Sequence, residues 1–431
     1  MAMVVKNNMS AISTLNTLNK NSSALAKSLA KVSSGMKINS AADDASGYAI
    51  SERMRVQIRS LDQDNQNTQN GQSMMKVAEG AVSSTVEILK TLKEKVINAA
   101  NDTNTDADRQ TIQKELDQSV DQINDNAVIT FNGKYLVDGS HNTSVAATTT
   151  SLTNESLSED AKFTDQFTSL KDRNGNSLKI QKSDTVTLSY VKQGKTYTTS
   201  VKAEGNSLST LISKASKDLK VGNDTSVIGK NVAGDTVYTA DGKKGLTITA
   251  AGTGLDNQIA GITISVTNSE GEIQKSVNAV LDNFSETIRA QDNSDDNAIV
   301  LQTGTKANQA IKVGLTDMRA EALGLQSSTG QTLNISTQEY ANAAINVLDT
   351  AVQKALDQQT TIGSVESRLE YTSTNLTTAS ENVQSSESTI RDADMAKEMT
   401  NYTKNNVLLQ AAQSMLAQAN QNSSAVLSLL Q

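Results

Sequence analysis

Few side chains in this chain of 431 residues have the means to do chemistry. There is one histidine, His141, and no cysteine. That imidazole stands in a Ser/Thr-rich connector and is not read as part of a triad or a metal site. Without thiols there is no disulfide and no thiolate metal site. A helical zinc-protease motif needs two histidines four residues apart, and the second does not exist. Asp102-x-Asn104-x-Asp106 has the opening spacing of a calcium loop. Ala107 stands where that loop needs glycine, however, and Gln113 where it needs a bidentate glutamate. These residues read instead as the cap of a following helix, with Thr105 or Asp106 as the capping residue. Asp292 to Asn297 is acidic without loop spacing and reads as a solvated turn. Gly252-Thr-Gly254 lacks the rest of a dinucleotide fingerprint and reads as a turn. Met74-Met75 reads as packing filler. The expectation is a protein that is not an enzyme and uses neither cofactor nor metal.

Spacing of another kind recurs throughout. Leu15, Leu18, Ser22, Leu25, Leu29, Val32 and Met36 step by alternating threes and fours. Leu408, Ala412, Met415, Ala419, Asn422, Val426 and Leu429 do the same at the other end. A 3.5-residue repeat keeps one seam of a helix facing a partner over many turns. Neither end can bury its seam alone, so the two must pair with each other or with further copies of the chain. Leu15, Leu18, Leu25, Leu29, Val32, Met36, Leu408, Met415, Val426 and Leu429 are the candidate polymerisation seam.

Composition agrees with assembly by helices. Apolar residues are 36% and aromatics 3%, with no tryptophan, so the cores must be aliphatic. The net charge of −8 and the absence of any Lys/Arg run argue against a nucleic-acid partner. No apolar run approaches the roughly 18 residues of a membrane span. Met1 to Ser10 has neither the charged start nor the apolar stretch of a signal peptide. There is no proline, where a chain of this length would carry about twenty. Nothing therefore kinks a long helix or slows refolding by isomerisation, which suits a chain moved unfolded and folded elsewhere.

The elements follow from the same patterns. A seam helix over about 4–37 meets the break Ser33-Ser34-Gly35 and a capping loop, Asn39 to Asp44. A long helix spans about 44–100, with Ala78, Val82, Thr85, Leu89, Leu92, Val96 and Ala99 on one face. A third helix runs to about 126. Asn132-Gly133 between Val128–Phe131 and Lys134–Val137 is a type I′ hairpin signature. From His141 the chain becomes Ser/Thr-rich, with a connector around Thr148-Thr149-Thr150-Ser151. A second hairpin follows around Gln193-Gly194, then a short helix over 207–220 and strands near 236–240, 245–250 and 260–267. Beyond a hairpin at 299–302 and 310–313, one apolar phase holds from Ile345 to Val383, about 57 Å of helix. The expected fold is mainly α, a rod of long coiled-coil helices from both termini with β-hairpins, carrying a central inserted α+β domain.

Several separated motifs carry a family resemblance. Ser33–Ser51 reads SSGMKINSAADDASGYAIS and is followed by Glu52-Arg53-Met54-Arg55 and Gln57-Ile58-Arg59. Later come Phe131-Asn-Gly-Lys134, Ala320-Glu-Ala-Leu-Gly-Leu325, Ile390-Arg-Asp-Ala-Asp394, Leu416-Ala-Gln-Ala-Asn-Gln421 and Val426-Leu-Ser-Leu-Leu430. Together these closely resemble bacterial flagellin over about 1–140 and 296–431, while the middle resembles nothing recognisable. The resemblance implies a terminal coiled-coil filament-core domain (1–40 and 393–431), a helical rod with hairpins (41–140 and 296–392) and a variable surface-exposed domain (141–295). It implies a homopolymeric extracellular filament, a propeller for swimming, whose subunits leave the cell unfolded through the flagellar type III apparatus. The partners it implies are an export chaperone on the C-terminal helix, a filament cap and hook-junction proteins.

Three further expectations rest on the resemblance. Flagellins that activate the vertebrate toll-like receptor carry an Arg and, four residues on, a Leu on the outer helix. Thr91 and Lys95 hold those places here, so the contact face Lys90, Thr91, Lys93, Lys95 and Glu115 is expected to activate weakly. Thr148, Thr149, Thr150 and Ser151 are candidate O-glycan acceptors. Acid is expected to depolymerise the filament by protonating carboxylates among Asp43, Asp44, Glu52 and Asp394 that lie near Arg53, Arg55 and Arg391. The alternatives are a hook–filament junction protein, which shares similar ends, and a filament-displayed adhesin. The latter would have only Tyr190, Tyr197, Tyr238, Phe163, Phe167 and Phe284 in the insertion for stacking on sugars.

Overall fold

The computed structural model describes residues 8–429, with side chains for all of these except 223, 224, 423 and 425–429. In chain order its elements are α1 (Met9–Ser34), α2 (Ala45–Ala99), α3 (Asp106–Ala127), β1 (Thr130–Phe131), β2 (Lys134–Tyr135), β3 (Ser151–Asn154), β4 (Thr185–Lys192), β5 (Lys195–Lys202) and α4 (Leu208–Ala215). Then come β6 (Leu219–Thr225), β7 (Val227–Lys230), β8 (Thr236–Tyr238), β9 (Gly245–Ala250), β10 (Ile259–Thr267), α5 (Lys275–Leu281), β11 (Phe284–Ile288), β12 (Ile299–Gln302) and β13 (Ala310–Val313). Last are α6 (Ala320–Leu323), α7 (Gln338–Arg391) and α8 (Met395–Leu429). The chain forms two compact units. One comes from its ends, up to Thr68 and from Tyr371, together with Thr303–Gln309. The other comprises 69–302 and 310–370.

In the first unit α1 begins where the Asn8 side chain accepts the Ala11 amide, and it stops at Gly35, whose φ of 70° favours glycine. Helices α1 and α8 lie antiparallel. Asn8 donates to the Ala419 carbonyl, Asn21 to that of Leu408, and Asn405 to the Ser28 hydroxyl, each at 3.2 Å.

In the second unit the expected helical seams are the core. Ala78, Val82, Leu89, Leu92, Val96 and Ala99 of α2 are buried against Leu116, Val120 and Ile123 of α3 and Ala344, Leu348, Ala351 and Ala355 of α7. Thr85 belongs to the same face because its hydroxyl donates back to the Ala81 carbonyl. The expected phase along α7 holds, but the helix is longer than read, 54 residues or about 81 Å at 1.5 Å per residue. Both hairpin turns form as expected, with positive φ at Asn132 and Gly133 and at Gln193 and Gly194.

The insertion has its own core, in which Phe167, Leu188, Tyr190, Leu208, Leu211, Ile248 and Ile264 are buried. Two antiparallel sheets enclose it, in the orders β10-β4-β5 and β11-β3-β9-β6. Along β4, Val186, Leu188 and Tyr190 face the core, while Thr187 and Ser189 on the other face bond Ser200 and Thr198 of β5. Two readings need correction. Helix α4 stops at Ala215, not near 220, because Ser216 is extended and Leu219 onward pairs with β9. The stretch read as a connector continues into β3, a strand buried at every position between β11 and β9. Its Ser/Thr content disguises it, since these hydroxyls bond neighbouring strands in place of water.

Candidate functional site

The terminal helix pair divides the candidate seam into two faces. Within the chain, α1 meets α8 along Ala11, Thr14, Leu18, Asn21, Leu25, Ser28 and Val32, answered by Asn405, Leu409, Ala412, Leu416 and Ala419; all are half-buried or buried. Ser28 and Ala412 are both buried in this contact. Leu15 and Leu29, by contrast, are 45% and 51% exposed, and Leu408 and Met415 are 41% and 65% exposed. The single seam read from spacing is therefore two lines. Leu18, Leu25, Val32 and Met36 turn towards the chain's own partner segments. Leu15, Leu29, Leu408 and Met415, seven or fourteen residues apart on their helices, turn away. Leu18, Leu25, Val32, Leu409 and Leu416 share the inner line with Ala11, Asn21, Ser28, Asn405 and Ala412, and the exposed apolar groups stand beside it. The side chains of Val426 and Leu429 are not among those described. Met9, Ile12, Met395, Met399 and Val407 extend the exposed apolar surface.

At the base of this pair the chain is knotted by one arginine. Main-chain bonds from Lys37 N to Arg391 O (2.7 Å) and from Ala393 N to Gly35 O (2.9 Å) hold the two inter-helix segments side by side. The Arg391 side chain is buried. It donates to Glu52 Oε1 at 2.6 Å, to Ser51 Oγ at 3.4 Å and to Met36 Sδ at 3.1 Å, and it lies over the Tyr48 ring at 5.5 Å. The bond from Arg391 holds the Glu52 carboxyl below its ordinary range. Arg55 also reaches Glu52, at 3.4 Å.

Of the acidic group named from sequence, only Glu52 is ion-paired, with Arg391 and Arg55. Asp43 accepts the Ser40 and Asn39 amides, and the Ser40 bond is the main cause of its lowered pKa. Asp44 accepts the Ser46 and Gly47 amides at the start of α2, Asp394 accepts Lys397 N at the start of α8, and Arg53 reaches its own helix at Ala49 O. The sequence reading missed Tyr48 and Ser51. Their spacing from Glu52, four and one residues, puts all three on one face of α2, the signal that would have found them.

Elsewhere the candidate residues have local partners. On the outer surface of α2, Lys90 pairs with Glu87 at 2.7 Å, Lys95 with Glu115 at 3.1 Å and Lys93 with Asp349, while Thr91 bonds its own helix at Glu87 O. Thr148, Thr150 and Ser151 are buried, and Thr149 is half-buried. The Thr148 hydroxyl donates to Arg289 O at 2.6 Å, and that of Thr150 accepts Ile259 N at 3.3 Å. On the folded chain the Thr148 and Thr150 hydroxyls are therefore engaged with main-chain groups. Thr105 and Asp108 form a reciprocal capping box, and Asp106 pairs with Arg109, so the polar run near 102–106 starts α3. His141 Nδ1 lies 3.1 Å from Asn297 O. Among the described residues no group of three or more His, Cys, Asp or Glu could hold a metal ion, and no helix is long and apolar enough to cross a membrane.

The chain is similar in sequence to known proteins. The family model for the bacterial flagellin N-terminal helical region matches residues 5–142, and that for the flagellin C-terminal helical region matches 345–430. A flagellin of Clostridium tyrobutyricum is 33% identical over 97% of this chain and 99% of that protein. A flagellin of Bacillus subtilis (strain 168) is 29% identical over 99% and 100%. The crystal structure of the flagellar junction protein FlgL from Legionella pneumophila is similar at 14% identity and a TM-score of 0.32, over 80% of this chain and 100% of that one.

Proposed function

The chain belongs to the bacterial flagellin family, whose members are structural subunits of the flagellar filament and not enzymes, and from that premise we propose how its parts serve assembly. The outward line Leu15, Leu29, Leu408 and Met415 docks on neighbouring copies and is buried only when they arrive. One observation carries this: the α1–α8 pair is already closed inside the chain by Ser28, Asn21, Asn405 and Ala412, and yet these four large apolar groups stay in water. Water-exposed leucines on a periodic line are stabilised only by a second helix surface with the same period.

The division of labour follows the chain. Residues 1–40 and 393–431 form the filament core, 41–140 and 296–392 the surrounding rod, and 141–295 the variable outer domain. The subunit leaves the cell unfolded through the flagellar type III apparatus, which a chain without proline and cysteine suits. A chaperone covers the exposed face of the C-terminal helix on the way, and assembly takes place outside the cell between hook-junction proteins and a distal cap. The toll-like receptor face activates weakly, because Lys90, Lys93 and Lys95 already hold acidic partners and Thr91 offers no guanidinium.

Electron microscopy of the purified full chain after seeding tests the proposal. Long helical filaments are expected. A chain that stays monomeric when seeded, with its terminal helices formed, overturns the docking role of the outward line.

A further inference from the structure

The insertion is seated on α7 by three side-chain pairs in register. At the start of the segment, Asp282 Oδ1 accepts the Ile264 amide at 3.0 Å and the Asn346 side-chain amide at 3.2 Å. The Asn346 amide also lies 3.0 Å from both Ile262 O and Thr263 Oγ1. Next, Glu286 Oε1 stands 3.3 Å from Lys354 Nζ, with only about a twentieth of either side chain exposed. Last, Arg289 Nη2 pairs with Asp357. Positions 346, 354 and 357 fall eight and three residues apart, on one face of a helix, and 282, 286 and 289 match them in order. The backbones are in contact as well: a Cβ at Gly261 would lie 3.0 Å from Val347 N, so β10 rests directly on the helix.

We propose that this ladder is a pH-sensed latch. Asp282, Glu286 and Arg289 hold the insertion on Asn346, Lys354 and Asp357, and the hold tightens when Asp282 takes up a proton. A carboxyl in this place has two hydrogen bonds and no counter-ion. Charged groups on the elements around it are Asp349, Lys354 and Asp357 on α7, Glu286 on β11 with Arg289 just beyond, Lys275 on α5 and Asp184 ahead of β4. None of them bonds its carboxyl, and β10 carries no charge at all. Burial accordingly raises Asp282 to about 6, against the opposite pull of Ile264 N and Asn346. The neighbouring pair behaves differently. Burial pushes Glu286 up and Lys354 down, each against the pull of the other's charge, so replacing both together separates their contribution from that of Asp282.

The sign follows from linkage. A group whose value is raised in the seated state contributes most below its ordinary value of 3.8 and loses that contribution as pH rises to about 6. Unseating should become easier by up to tenfold per pH unit across that window, on the order of a hundredfold in all, and then level off.

Hydrogen exchange on the full-length monomer, corrected for intrinsic rates, reads this at 259–267 and 284–288. The expected result is protection that falls between about pH 4 and 6 and is flat above. Asp282→Asn should keep these amides protected and remove the slope. Asn346→Ala should lower protection at every pH, because it takes away the partner while leaving the titrating group. Replacing the ion pair as Glu286→Gln with Lys354→Met should keep the slope. Protection in the native chain that does not change over this window, or a slope that survives Asp282→Asn, overturns the latch. Should Asp282→Asn fail to fold, a carboxyl carbon titration of Asp282 in the native chain decides it, a midpoint near 4 counting against the proposal and one near 6 for it.

Discussion

Arg391 and Glu52, 339 residues apart in sequence, meet at 2.6 Å, and the arginine is buried while the carboxylate keeps water on one side. Through this contact the end of α7 is fastened to the first turns of α2, beside the two segments that lead into the terminal helices. Arg391→Ala removes a guanidinium from Glu52, Ser51, Met36 and the Tyr48 ring together. The expected loss is about 2 kcal/mol of local stability, and the effect should fall on the terminal pair. Exchange protection of 35–37 and 391–394 checks it. Arg391→Lys should restore little, since one ammonium cannot serve the carboxylate and stack on the ring at once.

Acid should act on the same joint. The Glu52 and Asp43 carboxyls sit below their ordinary values of 4.5 and 3.8, the first chiefly through Arg391 and the second through the Ser40 amide. A depressed carboxyl contributes stability above its ordinary value and loses it as pH falls through the lowered one. Filaments should therefore come apart as pH drops below about 4.5, and Glu52→Gln should flatten part of that response. Turbidity that holds down to about pH 3 in the native protein speaks against it.

The outward line makes a separate claim about where energy is spent. Leu15→Ser with Leu29→Ser changes groups that stand in water in the monomer, so its thermal unfolding should shift by no more than about 0.5 kcal/mol. The same pair should raise the critical concentration for polymerisation roughly ten- to a hundredfold, at about 1 kcal/mol or more for each leucine left unburied. Leu18→Ser, on the inner line, should do the reverse and weaken the monomer's helix pair. Sedimentation across a concentration series separates the two.

The difference between these lines was not legible in the sequence. Leu15 and Leu18 satisfy the same heptad, and spacing cannot say whether the partner helix belongs to the same chain. What spacing does specify is which face of a helix is buried, and the face of Val82, Leu89 and Val96 and that of Leu348 and Ala355 followed from it directly. The Asn132-Gly133 turn was equally plain, since few dipeptides accept positive φ twice. Strand β3 was hidden because Thr150, Ser151 and Thr153 look solvated until neighbouring strands supply their partners. Glu52 and Arg391 were legible as members of one acid–base group, whereas the pairing of Glu286 with Lys354 was out of reach for a different reason. A buried ion pair leaves no periodic trace, and its members are brought together only by the finished fold.

The proposed receptor face can be tested by restoring what it lacks. Thr91→Arg with Lys95→Leu replaces a hydroxyl spent on its own helix by a guanidinium fork, and a cation tied to Glu115 by an apolar contact. The Lys95–Glu115 pair is exposed, so its loss should cost the fold at most about 1 kcal/mol. Stability and activation are then separable readouts. Thermal unfolding should stay nearly unchanged while a reporter-cell assay with purified monomer gains tenfold or more in potency, the scale of one hot-spot contact. Full potency in the native chain would show that Lys90, Lys93 and the remaining face suffice, and that the Arg and Leu places carry less of the contact energy than their chemistry implies.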